Sequence, residues 1–435
     1  MTLDRYFAPT AGGDTAFTVE APKIKFGVGA LGEIGADAKA LGMTRVALFT
    51  DKRVARFEAV ATALGALEAA GLDVAVYDEV EVEPTDRSFK AATRFAADGK
   101  FDGYVSVGGG SVMDTCKAAN LYSTWPAEFL AYVNAPIGEQ RPVPGPLKPH
   151  IACPTTFGTA SECTGIAVCD VLDLELKTGI VSPRLRPALG VLDPSSLKTL
   201  PRQVVAANGF DVFSHAIESF TARPYTRRPA PAQPSARPMS QGANPYSDIA
   251  SLESIRLVGE NLVRAVADPT DIEAMEPLMF AGMLAGIGFG NAGCHVPHGM
   301  SYAVAGLVDD YHAEGWPTGE AMVPHGISVI VNAPAVFRHM GPACPDRHLR
   351  AAEALGVDTR NLPAERAGDV LADRVIALMK QTGMPNGVGG IGYDEADLDA
   401  LTERTVAQKR LLDNAPRPVG HTEIKELFRD ALRYW

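Results

Sequence analysis

The chain reads as an α/β domain followed by an all-helical one. Three observations predict this. Short apolar, strand-like runs alternate with helical stretches through the first part of the 435 residues. A glycine turn, Gly108-Gly-Gly110-Ser111, follows the third such run. After Asp193-Pro-Ser-Ser, helical periodicity takes over. Alternating strands and helices are the mark of a parallel sheet wrapped by helices. The change of period puts the boundary near residue 195, giving domains 1–194 and 195–435.

The elements follow in order. Arg45-Val-Ala-Leu-Phe-Thr-Asp51 is a short apolar strand that ends in turn residues. Residues 55–70 are alanine-rich at helical spacing, and Leu72-Asp-Val-Ala-Val-Tyr77 is a second strand. Residues 89–99 are helical, and Tyr104-Val-Ser-Val107 is a third strand that runs into the glycine turn. The second half is predicted helical over 203–220, 247–267 and 274–286. Between the first two of these, residues 223–246 hold six prolines together with Arg223, Arg227, Arg228 and Arg237. Such a stretch resists helix and strand. It is either a solvated linker or an ordered loop whose guanidiniums attract a dicarboxylate through paired hydrogen bonds.

Composition narrows the function. A hydrophobic share of 46% supports a sizeable core, and the net charge of −12 disfavours nucleic acid or an anionic membrane as partner. No uninterrupted apolar run approaches the ~18 residues that span a bilayer. The start, Met1-Thr-Leu-Asp-Arg-Tyr, lacks both a signal-peptide pattern and the Arg/Ser-rich character of a transit peptide. Cytoplasmic location is therefore the expectation. Six cysteines without a Cys-x-x-Cys pair read as reduced thiols.

The chemistry gathers at four residues. Asp211 and His215 stand four apart in a helical segment, which places carboxylate and imidazole on one face. His298 and His325 each lie between a proline and a glycine, a context that lets the backbone turn tightly into a following helix. An isolated Asp-x3-His pair is more often a surface hydrogen bond. One carboxylate with three imidazoles, however, is a ligand set suited to Fe(II) or Zn(II). About a hundred residues earlier, Gly108, Gly109 and Gly110 allow close backbone approach to a pyrophosphate, and Ser111 opens a helix whose N-terminus favours phosphates. Ser111 and Asp114 also have the spacing of a capping box, the structural alternative for both. Met113 breaks the usual Gly-x-Gly-x-x-Gly fingerprint, so this is no ordinary Rossmann loop. Asp51, at the end of the first strand, has the chemistry to bind an adenosine ribose and repel a 2′-phosphate, which favours NAD over NADP.

These motifs resemble a known family. Asp211-x3-His-Ala-Ile-Glu218, Pro297-His-Gly-Met300, Pro324-His-Gly-Ile327, Gly108-Gly-Gly-Ser-Val-Met-Asp114 and Pro154-Thr-Thr-Phe-Gly-Thr-Ala-Ser-Glu162 look like those of the iron-dependent (group III) alcohol dehydrogenases, in the same order. Residues 101–120, Ala135-Pro-Ile-Gly138 and Cys294-His-Val-Pro-His-Gly-Met-Ser-Tyr302 are most similar to the hydroxyacid-oxoacid transhydrogenase branch. The resemblance implies a dehydroquinate synthase-like fold with the site in the cleft between domains, Fe2+ on Asp211, His215, His298 and His325, and NAD. It implies a second nucleotide loop at Thr155, Thr156, Gly158 and Thr159, where Ala160 replaces a glycine usual in relatives. It also implies a small-molecule substrate and a homo-oligomer, a dimer or larger. Tyr302 stands where many relatives have a second histidine, and a tyrosine, titrating near 10, is a poorer proton shuttle at neutral pH. His295, three residues before His298, is a second candidate proton relay.

The implied reaction passes hydride from 4-hydroxybutyrate, through NAD, to 2-oxoglutarate. The alternatives are an NAD-dependent alcohol dehydrogenase that releases NADH each turnover, a dehydroquinate synthase-like lyase, and an inactive metal-binding homologue. The lyase needs cations around a phosphate, and residues 295–325 contain no Lys or Arg. Filled ligand positions put the inactive homologue last.

Overall fold

A computed structural model describes residues 5–174, 176–316 and 321–435. The first residues of the chain, read above for a leader, lie partly outside them. Two compact units result, one of Ala21–Thr199 and one of Leu200–Trp435 with the described residues before Ala21.

The first unit is built on a six-stranded sheet whose pairs are all parallel. Its strands are β1 (Ile24–Phe26), β2 (Arg45–Phe49), β3 (Asp73–Tyr77), β4 (Gly103–Gly108), β5 (His150–Pro154) and, after a hairpin of β6 (Ile166–Val171) and β7 (Leu176–Val181), β8 (Leu189–Leu192). The order across the sheet is β1-β8-β5-β4-β2-β3. Alternate side chains of β2 show why both faces are covered. Val46 and Leu48 pack in one buried cluster with Val105, Val107, Ile151 and Val191, while Ala47 and Phe49 join Tyr104, Val112 and Cys116 in another. The covering helices are α1 (Ile34–Ala40), α2 (Glu58–Ala69), α3 (Asp86–Gly99) and α4 (Gly110–Thr124). From β2 the chain moves outward to β3, and from β4 it moves the opposite way to β5. The carboxyl ends of β2 and β4 therefore flank the switch point where open α/β sheets bind ligands.

The second unit is helical. Its early members are α5 (Arg202–Thr221), α6 (Pro245–Ala267), α7 (Ile272–Ala292), α8 (Val296–Gly306) and α9 (His325–Ile330). By length and composition α7 is apolar enough to cross a membrane, yet it is largely buried among neighbouring helices. A helix apolar all round is a core helix in a folded unit of this size.

The domain limits differ from the sequence reading. The split falls at Thr199, and the residues before Ala21 pack with the helices rather than with the sheet. Side-chain chemistry accounts for this. The Tyr6 hydroxyl donates to the carbonyl of Ala222 at 2.7 Å, Phe7 stacks with Tyr225, Asp14 takes a paired ion bridge from Arg237, and Asn291 caps the backbone of Glu20. Strand and helix periods carry no trace of such a strap, because its contacts are about two hundred residues away in sequence.

Candidate metal centre and nucleotide loops

Helix α5 presents Asp211, His215 and Glu218 at intervals of four and three, one buried face. His298 lies in the first turn of α8 and His325 at the start of α9. The glycines after these histidines do not make turns. Both are helical, and a Cβ on Gly326 would lie 2.0 Å from the Ala207 carbonyl oxygen, so that glycine exists to let α9 touch α5.

The four predicted ligands converge. Asp211 Oδ1 lies 3.7 Å from His215 Nδ1, 3.7 Å from His298 Nε2 and 3.6 Å from His325 Nε2. These separations are too long for good hydrogen bonds. They come within a few tenths of an ångström of the edge of a tetrahedron with bonds of about 2.1 Å. Asp211 Oδ1, His215 Nδ1 and His298 Nε2 are also buried without hydrogen-bond partners among the described residues. Buried polar atoms left in that state are costly unless something else satisfies them, so the donor set fits a divalent cation. Its members are nearly closed to solvent apart from His325, whose side chain keeps 30% of its exposure. The site thus opens on the His325 side, as a catalytic rather than a purely structural cation site requires.

The electrostatics agree. Burial raises the Asp211 carboxyl, but the imidazoles of His215, His325 and His298 outweigh it and hold the group at about 2. Burial lowers His215 to about 4, so its ring is neutral and able to donate a lone pair at pH 7. Phe289 stacks on that ring with centroids 4.1 Å apart. Glu218 Oε1 lies 2.6 Å from His298 Nδ1, and its Oε2 accepts the backbone N–H of His295 at 2.7 Å and of His298 at 3.3 Å. Sequence reasoning passed over both Phe289 and Glu218. The i, i+4, i+7 series of Asp211, His215 and Glu218 was the signal available for the second.

The remaining candidates lie nearby in different roles. Tyr302 is half-buried one turn after His298 on α8. His295 is the N-cap residue of α8, outside the helix proper, so it shares no helix face with His298. Its Nε2 lies 3.0 Å from the Thr221 hydroxyl, which itself donates to the Ile217 carbonyl, leaving the ring nitrogen as donor. Three of the four arginines of 223–246 serve as braces. Arg237 pairs with Asp14, Arg228 donates to the Ser240 carbonyl, and Arg227 lies over the Tyr6 ring.

In the sheet unit, the glycine loop and the threonine loop meet. Thr155 N donates to the Gly108 carbonyl at 3.0 Å. A Cβ on Gly110 would lie 2.7 Å from Thr159 Cγ2, and one on Gly109 would lie 3.4 Å from Thr156 Cγ2. Ser111 and Asp114 do not form the capping box their spacing allows. The N-cap of α4 is Gly109, with no side-chain cap. Ser111 Oγ instead accepts from Glu83 N, while Asp114 accepts from Ser161 Oγ at 2.6 Å and Val168 N at 2.9 Å, tying the threonine loop to α4. Long-range partners outbid the local cap. Ala160 has φ 49°, the left-handed region, which explains the glycine usual at that position in relatives. Asp51, just past β2, accepts the N–H groups of Arg53 and Val54 through one oxygen.

A doubly wound sheet with its loops at the carboxyl edge, and a helical unit carrying one carboxylate and three imidazoles around a buried point, define a metal-dependent oxidoreductase. The chain belongs to the iron-containing alcohol dehydrogenase family, whose domain "Iron-containing alcohol dehydrogenase" matches residues 21–194 and whose C-terminal domain matches residues 238–432. It is 46% identical over 424 residues to the mitochondrial hydroxyacid-oxoacid transhydrogenase of Bos taurus, and 45% identical to that of Homo sapiens. Each alignment spans 97% of this chain and 91% of the relative. Among solved structures, a 1,3-propanediol oxidoreductase superposes with a TM-score of 0.84 at 29% identity, covering 96% of this chain and all of that one. The expectation of a cytoplasmic location does not stand, because these relatives are mitochondrial by name. It rested on the lack of a leader-like start, and an absent pattern is not an address.

Proposed function

We propose that this chain is a hydroxyacid-oxoacid transhydrogenase that couples oxidation of a 4-hydroxybutyrate-like acid to reduction of 2-oxoglutarate, giving succinate semialdehyde and 2-hydroxyglutarate. A hydride and a proton leave one carbinol and arrive at the other carbonyl, so no outside oxidant is needed. The observation that carries the reading is the convergence of Asp211, His215, His298 and His325 on one buried point open on a single side. Identity of about 45% along nearly the whole chain to transhydrogenases favours this branch over a plain alcohol dehydrogenase.

The protein's part is arrangement. Asp211, His215, His298 and His325 would hold Fe2+, with Zn2+ the alternative that the same donors accept. When bound, such a cation is a Lewis acid that lowers the pKa of a hydroxyl or polarises a carbonyl. NAD, as the hydride carrier, would sit on the backbone of Gly108, Gly109 and Gly110 with Ser111 at the start of α4, and on Thr155, Thr156 and Thr159. Asp114 would act on the nucleotide indirectly, by fixing the threonine loop, and Asp51 would receive the ribose. Tyr302 would offer a hydrogen bond to the reacting groups, and His295 would relay a proton or hold the entry to α8. A homo-oligomer goes with this reading.

The test is metal-loaded enzyme with 4-hydroxybutyrate, with and without 2-oxoglutarate, and no added NAD. Catalytic 2-hydroxyglutarate, followed by mass spectrometry, is the expected result and would establish transhydrogenation through retained cofactor. Turnover that starts only on adding NAD, with NADH accumulating, would make the chain a conventional alcohol dehydrogenase.

A further inference from the structure

Helix α8 begins without a cap of its own. Its N-cap residue is His295, whose side chain makes no capping bond. The free N–H groups at this end are met from another helix. Glu218 of α5 is fully buried, and one of its oxygens accepts the N–H of His295 at 2.7 Å and of His298 at 3.3 Å. A buried carboxylate is expensive unless paired, and here two N–H donors and the positive end of an eleven-residue helix stabilise its charged form. Its second oxygen lies 2.6 Å from His298 Nδ1. A charged carboxylate has no proton to give, so the ring nitrogen is the donor. The proton then sits on Nδ1, which leaves Nε2, facing Asp211 at 3.7 Å, as the nitrogen available to a cation.

We propose that Glu218 is the positioning residue of the cation site: one carboxylate both anchors α8 and fixes His298 as the tautomer whose Nε2 can ligate. The proposal rests on the reading of the four converging side chains as a cation site. Partners of this kind orient a ligating imidazole and raise its basicity, and their removal typically weakens metal binding by roughly 10- to 100-fold. Glu218 is isosteric with glutamine, but an amide cannot serve both contacts. With its NH2 toward Nδ1 it forces the ring proton onto Nε2, and with its NH2 toward the backbone it faces two donors.

The test compares wild type, Glu218→Gln and Glu218→Asp as full-length, metal-stripped protein. Affinity for Co2+ alone is read by chelator competition and by the visible d–d spectrum. The His298 tautomer is read by long-range proton–nitrogen correlation on 15N-histidine protein, with His298→Ala for assignment. Expected are a proton on His298 Nδ1 in wild type, a 10- to 100-fold loss of Co2+ affinity with an altered spectrum in Glu218→Gln, and partial rescue by Glu218→Asp. A folded Glu218→Gln with wild-type affinity and spectrum would overturn the proposal, because a purely structural role would lower only the melting temperature. If that variant does not fold, the wild-type ring still decides, and a proton on Nε2 with none on Nδ1 overturns it. Wild type that binds no Co2+ would remove the cation site itself, and this inference with it.

Discussion

The two Pro-His-Gly motifs look equivalent in sequence, and the structure says that their glycines are not. A methyl on Gly326 would lie 2.0 Å from the Ala207 carbonyl oxygen, 2.7 Å from the Ala207 carbonyl carbon and 3.2 Å from Asp211 Cβ. Two of those neighbours are helical backbone of α5 and cannot turn aside. Carbon and oxygen rest at roughly 3.3 Å, so Gly326→Ala must drive α9 away from α5 by about 1 Å. Overpacking of this kind costs about 1–3 kcal/mol of stability. The larger effect is on the site, because His325 precedes the glycine and the displacement lengthens its 3.6 Å approach to Asp211. Misplacement by about 1 Å costs on the order of 100-fold in rate. By contrast, a methyl on Gly299 meets only the Leu412 side-chain tip at 3.2 Å and Leu411 Cβ at 3.7 Å. Gly299→Ala should therefore be close to neutral, helped by as much as about 1 kcal/mol of helix propensity. The assay is metal content after dialysis, steady-state turnover and melting temperature of the two variants side by side. Equal behaviour of the two, or a Gly326→Ala enzyme with full metal and full activity, would refute the reasoning.

Three further outcomes follow from the same geometry. His298→Ala should strip most of the metal and nearly all turnover while NAD binding, measured by fluorescence, persists; retention of both metal and activity would remove His298 from the ligand set. Gly110→Ala places a methyl 2.7 Å from Thr159 Cγ2 and 3.1 Å from its Cβ, and should weaken NAD binding at least several-fold with metal content unchanged. Unaltered NAD affinity would show that the two loops do not cradle the cofactor. Away from the cation site, burial lowers His150 to about 3, with the Lys117 charge adding to it, and burial lowers His348 to about 4. Both stay neutral in the fold, whereas the unfolded chain takes up protons below about 6.5, so stability should fall as pH drops from about 6.5 toward 4. Denaturant midpoints that do not fall between pH 7 and pH 5 would contradict those burials.

What was legible in the sequence is what short-range geometry encodes. Asp211 and His215 could be paired from their spacing alone, because four residues of helix return to one face. The strand periods of 45–51 and 104–107 set the centre of the sheet, since burial on both faces demands continuous apolar runs. Illegible were the choices made between local and distant partners. The spacing of Ser111 and Asp114 permits a cap, yet Ser161 and Val168 claim the Asp114 carboxylate across some fifty residues. The glycines after His298 and His325 read as turns, whereas Gly326 answers to a carbonyl on α5 more than a hundred positions earlier. Glu218 stands in the quoted motif, seven residues after Asp211, with no role assigned by spacing, because its meaning depends on which end of which helix it meets. The ligands of the site can thus be found by type and spacing, but what holds them in register is supplied by contacts between helices, and there a single buried carboxylate or a missing methyl outweighs any local propensity.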